Sequence, residues 1–167
     1  MARSGREAGD GNDNADWGRT VEIAACERWE LEHVAGEVAA PGWYDAVTTR
    51  LLSDASDSLV SAFGSIETNT PVEVKAAQLR VQEGSSQRRG RWWLRESSHR
   101  ALVEADGEYA LGVYDPAPEG GVIALVLRPA WWVGERVTAW SPCGPGHQAD
   151  RAACVPWSRV FDPADVR

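Results

Sequence analysis

The strongest constraint on this chain is the run Thr70-Pro71-Val72-Glu73-Val74-Lys75-Ala76-Ala77. β-Branched residues alternate along it, and the proline stands at its start, where a strand loses no needed donor. The run therefore predicts a short, largely buried strand. Residues two apart in a strand share a face, so Glu73 and Lys75 project to the same side. Two charges taken out of water must pair with each other, bind a metal ion or line a site, because an uncompensated buried charge is expensive. The identity of the cation narrows this further. Of 17 basic residues, Lys75 is the only lysine and the rest are arginine. A chain that uses arginine everywhere else keeps, at this one place, a compact ammonium whose pKa responds to its surroundings. An ordinary strand-borne ion pair is the alternative reading.

Charge is unevenly spread. The chain carries a net −8 overall. Residues 1–74 hold 5 basic and 14 acidic side chains, residues 75–100 hold 7 and 2, and residues 101–167 hold 5 and 9. One basic segment in an acidic chain marks an anion-facing surface, and it follows directly on the Glu73/Lys75 strand. The acidic, arginine-over-lysine composition resembles that of proteins from salt-loving archaea or their viruses. At 167 residues with nine tryptophans, one globular domain is expected over 17–167, behind a polar tail, 1–16, expected to be disordered. Cys26, Cys143 and Cys154 lack disulfide or zinc-ribbon spacing, which points to a reducing cytoplasm. No apolar run is long enough for a membrane span.

In order, the sequence predicts an amphipathic helix capped at Thr20 and ending between Gly36 and Pro41, and a strand entered near Asp45. A short helix is expected over 53–63, then the Glu73/Lys75 strand and a Gly/Ser/Gln/Arg loop over 82–90. A strand over 91–95 and a helix from Ser97 or Ser98 to Ala105 follow, then strands over 108–114 and 122–127. Pro129 opens a tryptophan-rich helix, and short strands over 137–140 and 153–160 close the chain. Strands alternating with helices give an α/β class with a central mixed sheet.

This order, with a glutamate on the first helix, an aspartate at a strand and Glu-x-Lys on the next core strand, resembles the PD-(D/E)XK nuclease superfamily. Within it the chain looks most like archaeal Holliday-junction resolvases and related restriction-type enzymes, over about residues 18–135. The resemblance implies a restriction-endonuclease-like core of α-β-β-β-α-β order with extra C-terminal strands. It implies catalytic residues Asp45, Glu73 and Lys75, with Glu22 as the helix glutamate and Glu27 next in line. Asp45, Glu73 and the Val74 carbonyl would then hold Mg²⁺ or Mn²⁺. The activity implied is metal-dependent hydrolysis of DNA phosphodiesters, at branched junctions in the resolvase case; the alternative is a non-catalytic nucleic-acid-binding or structural protein on the same fold. Arg80, Arg88, Arg89, Arg91, Arg95 and Arg100 would contact phosphates, and Trp92 or Trp93 would stack on a base. Gln78 and His99 are candidates to assist. No proline precedes Asp45, and its separation from Glu73 leaves Asp54 and Asp57 as rival aspartates. Such enzymes commonly act as homodimers, with Trp131 and Trp132 a candidate contact here.

Overall fold

The structure, a computed structural model, describes residues 10–34, 43–53, 64–143 and 150–166. Helix α1 (Asp10–Trp29) opens the fold. It starts earlier than the apolar periodicity indicates and takes in part of the tail expected to be disordered. Thr20 lies inside it, its hydroxyl donating to the Asp16 carbonyl at 2.9 Å, so it caps nothing. The helix stops at Glu30, whose φ of 54° breaks the helical path. Leu31–His33 then forms strand β1, where a continuing helix was expected.

Strands β2 (Ala46–Thr48), β3 (Pro71–Gln78), β7 (Glu108–Asp115) and β8 (Gly121–Pro129) complete a five-stranded sheet in the order β1-β2-β3-β7-β8. β3 and β7 run parallel and every other neighbouring pair is antiparallel, which is the mixed α/β sheet expected. Helix α2 (Glu96–Glu104) provides the crossover between the two parallel strands. Its end is set by Asp106, at φ 49°, and by Gly107, whose N–H donates to the Leu102 carbonyl at 2.8 Å.

The long interval between β2 and β3 is closed by side-chain bonds. Buried Thr48 donates to the Glu67 carbonyl at 2.5 Å and accepts from the Thr70 N–H at 2.9 Å. Leu52 and Ile66 bridge behind it. Extra sequence is thus looped out without disturbing the register Ala46↔Val72. Asp54 and Asp57, and nearly all of the helix expected over 53–63, lie outside the described residues.

The sheet carries a core on each face. On one face Ala25 and Trp29 of α1 pack with Ala46, Val72 and Ala110 of the sheet. The opposite face holds Ala77, Tyr109, Leu111 and Val113, covered by α2, by the short helix α3 (Ala130–Gly134) and by strand β6 (Arg91–Arg95). β6 pairs with β10 (Arg151–Pro156), which also pairs with β9 (Ser141–Pro142); residues 137–140, expected as a strand, are irregular. Pro129 stands just before α3 and not within it.

Residues 82–90 are not a loop. Strands β4 (Arg80–Glu83) and β5 (Ser86–Arg89) form a two-stranded ribbon around Gly84 and Ser85. Gly84 sits at φ 61°, so the Gly/Ser pair that reads as loop sequence is a hairpin turn. At the base of the ribbon a Cβ on Gly90 would lie 1.9 Å from the Gln78 carbonyl oxygen, so only glycine lets the chain return across the end of β3.

Candidate active site

Alternation along β3 decides which side chains meet. Val72 packs under α1, and Val74 packs against the same cluster. Glu73, Lys75 and Ala77 therefore face the α2 side. Glu73 is 8% exposed and its Oε1 pairs directly with Lys75 Nζ. The lone lysine and its glutamate do form one unit, as their spacing implies.

Asp45 joins them from the neighbouring strand. Its backbone N–H donates to the Val72 carbonyl at 2.9 Å, and its Oδ2 accepts from the Val74 N–H at 2.7 Å. The ladder of β2 on β3 ends at Ala46↔Val72, and Asp45, just before it, reaches β3 through its backbone N–H and its carboxylate. β2 ends its pairing here, so the edge of β3 beside Val74 is taken by a side chain and not by another backbone. N–H and C=O of one strand residue point to the same edge, which places the Val74 carbonyl on Asp45's side.

Burial is the main cause of the raised pKa of Glu73; Lys75 opposes it by charge and hydrogen bond, Asp45 adds to it, and Arg95 opposes it. The carboxylate thus sits among one like charge and two cations. Arg95 comes from β6, where residues alternate strictly between core and surface. Arg91, Trp93 and Arg95 form the outer row, with the Arg95 guanidinium 5.6 Å from the Trp93 ring centroid.

Other residues named from the sequence fall elsewhere. Trp92 is completely buried and its indole N–H donates to the Gly112 carbonyl at 2.9 Å, so it cannot stack on a base. Trp93, 45% exposed, is the tryptophan open to a ligand. Glu22 pairs with His33 of β1, on the α1 side of the sheet. Its link to the site runs through Cys26, whose thiol pKa is raised by burial and then by Glu22 and Asp45. Glu27 lines a cavity with Glu22, Cys26 and His33 on that same side. Gln78 also faces α1 and hydrogen-bonds to Tyr114. His99 is buried, with Nδ1 3.3 Å from the Tyr109 hydroxyl, and burial lowers its pKa; it is a packing residue behind the site.

The arginines divide. Arg100 pairs with Glu96 at 2.9 Å on α2. Arg80, Arg88, Arg89 and Arg91 line a separate cavity at the ribbon. Of the tryptophans on α3, Trp132 lies against Arg128 and Arg136, and Trp131 is 51% exposed.

The donor set suits a hard divalent cation. Asp45 Oδ1 makes no hydrogen bond among the described residues, Glu73 is a buried carboxylate, and the Val74 carbonyl shares their edge. Among the described residues no group of three or more His, Cys, Asp or Glu side chains is gathered to hold a metal. Magnesium fits such a site, since it is bound by one or two carboxylates and otherwise keeps water and phosphate oxygens.

A family model described as the PD-(D/E)XK nuclease superfamily domain matches residues 8–162, which extends the resemblance over nearly the whole chain. No curated protein and no solved structure gives a significant match. The match establishes the superfamily and supports a nuclease-type function in general.

Proposed function

The chain belongs to the PD-(D/E)XK nuclease superfamily, and from that premise we propose that it is a metal-dependent DNA endonuclease. The observation that carries this reading is the meeting of Asp45, the buried Glu73 and the chain's only lysine at the open edge of β3.

Asp45, Glu73 and the Val74 carbonyl would hold Mg²⁺ or Mn²⁺. When bound there, the ion lowers the pKa of a water and neutralises phosphate charge. The remaining work belongs to the protein. Asp45 is fixed by the Val74 N–H, so it meets its ligand already oriented. Lys75, next to Glu73, is placed to orient the attacking water and to stabilise charge growing on the phosphate. Arg95 and Trp93, on the adjoining strand, would hold the strand being cut by a phosphate contact and a stacked base. The basic segment would face a phosphate backbone, DNA is the partner that the nuclease superfamily suggests, and branched junctions are the substrate that the resolvase likeness suggests. Cys26, Cys143 and Cys154 are all free thiols, in keeping with a reducing compartment such as the cytoplasm. Among the described residues no helix is long and apolar enough to cross a membrane.

A second reading, a nucleic-acid-binding protein that keeps the fold without cutting, draws on the direct Lys75–Glu73 contact, which occupies one oxygen of a would-be ligand. Supercoiled, linear and four-way-junction DNA, incubated with Mg²⁺ or Mn²⁺ at low and high salt, separates the two. Metal-dependent cutting that vanishes in Lys75→Ala establishes the nuclease, and the preferred form names its substrate. DNA bound but not cut by wild type establishes the binding protein.

A further inference from the structure

The four arginines at the ribbon form a feature distinct from the catalytic cluster. Arg80, Arg88, Arg89 and Arg91 line a cavity of about 580 Å³ whose far wall is Trp157 and Ser158, at the turn that follows β10. The pairing of β4 with β5 sets Arg80 directly across from Arg89. Like charges opposite each other on a ribbon are destabilising, so an arrangement of this kind needs an anion. Among the described residues little provides one. Arg88 pairs with Glu83 at 2.8 Å, but among the described residues Arg80, Arg89 and Arg91 have no carboxylate partner.

The walls are firm. The Trp157 indole N–H donates to the Leu79 carbonyl at 2.9 Å and its backbone N–H to the Gly90 carbonyl at 3.3 Å, which ties the turn to both strands at the base of the ribbon. The Arg89 guanidinium lies over the same ring, 5.6 Å from its centroid. Trp157 is 3% exposed, so it is a wall and not a stacking platform. What remains open is a concave recess lined largely by arginines.

Such a recess suits one kind of phosphate. A phosphodiester within a strand has one charge, two free oxygens and chain running off on both sides, and an open groove serves it well. A terminal phosphate monoester carries nearly two charges and three acceptor oxygens. It can be entered end-on and bound by several arginine forks at once. The position is also suggestive. Arg91 and Arg95 end the same exposed row of β6, and four residue steps of strand span roughly 13 Å. The recess therefore lies a few nucleotides from Glu73, along the row occupied by Trp93.

We propose that this pocket binds the terminal phosphate monoester of a nucleic-acid strand whose body lies along the Arg91–Trp93–Arg95 row. The proposal rests on the nuclease reading for the identity of the polymer, but its test does not depend on cleavage. Fluorescence anisotropy in EDTA would compare labelled single strands of about 12 nucleotides that carry a 5′-phosphate, a 3′-phosphate or only hydroxyl ends. One phosphorylated end should bind about 10-fold tighter than the hydroxyl strand, as two or more charge-assisted bonds imply. Millimolar inorganic pyrophosphate should erase that preference in the wild-type protein. The Arg80→Gln/Arg89→Gln double variant, which leaves the Arg91–Trp93–Arg95 row intact, should lose it while keeping its affinity for the hydroxyl strand. Arg80→Lys, which keeps the charge and the ribbon but not the fork, should lose part of it. Arg50→Gln, on the far edge of the sheet, should keep it all. Equal affinity for all three strands in wild type, or a preference that survives in the folded double variant, would overturn the proposal. Lys75→Ala should retain the preference. A protein that shows it without ever cutting DNA would therefore defeat the nuclease reading and leave the pocket standing.

Discussion

Two glutamates are buried at the middle of the sheet, and they differ in what surrounds them. Glu73 of β3 and Glu108 of β7 are 8% and 6% exposed, and they lie one residue out of register, with Val72 opposite Glu108. Burial is the main cause of a raised pKa in both. Glu73 has Lys75 in direct contact, Arg95 and Asp45 within electrostatic reach, and an open strand edge beside it. Glu108 feels Arg128 by charge, but its Oε2 has no hydrogen-bond partner, and its pKa is pushed up to about 8. A buried carboxylate is therefore not in itself a site. The one with converging charges and an edge to work at is the one we propose as the reaction centre, whereas the other weighs on stability.

Replacing Glu108 tests that contrast most strongly. Between its ordinary value of 4.5 and about 8, the folded protein holds a proton on Glu108 that the unfolded chain has released. Stability must therefore fall as pH rises through that window, by on the order of 5 kcal/mol if the whole shift is expressed. Glu108→Gln removes the slope. Denaturant midpoints for variant and wild type should nearly coincide near pH 4.5 and diverge in the variant's favour up to about pH 8. Parallel curves would mean that Glu108 is solvated.

Lys75→Met should act in the opposite sense. It leaves Glu73 buried without its cation, which costs about 1–3 kcal/mol by the usual penalty for an orphaned buried group. The raised pKa of Glu73 fixes the pH dependence: the loss is full when the carboxylate is ionised and shrinks as acid protonates it. Urea unfolding at neutral and acidic pH measures this, and a loss independent of pH would show that the lysine contributes packing alone.

The two neighbouring tryptophans of β6 carry the contrast between closed and open surroundings to a smaller scale. Trp93→Ala should cost under about 1 kcal/mol of stability, as surface changes do. It should weaken single-strand binding by about 1–3 kcal/mol if a base stacks there. The same change at buried Trp92 should cost about 3–5 kcal/mol of stability. Thermal melts and anisotropy distinguish them.

What was legible in the sequence was whatever strand periodicity controls. The alternation of residues 70–77 gave both the strand and the shared face of Glu73 and Lys75, and the order of elements gave the mixed sheet. What failed depends on contacts distant in sequence. Whether Trp92 or Trp93 faces the core is decided by Gly112 and by β10, neither of which is local. Glu22 was named from the family resemblance, and its partner His33 lies on a strand, β1, where a continuing helix was expected. Glu108 was placed at the start of the strand over 108–114, but its burial depends on packing that the strand pattern alone does not carry. The ribbon was missed because its strands are almost wholly exposed and carry no apolar pattern.

The central claim is tested most directly by Mn²⁺-dependent cleavage of supercoiled plasmid, with Glu73→Gln and Glu108→Gln run side by side. The account predicts that Glu73→Gln loses cleavage by about 10³-fold or more, the scale of removing one preorganised electrostatic group. Glu108→Gln should cut like the wild type. Equal activity in the two variants, or loss in Glu108→Gln alone, would contradict it.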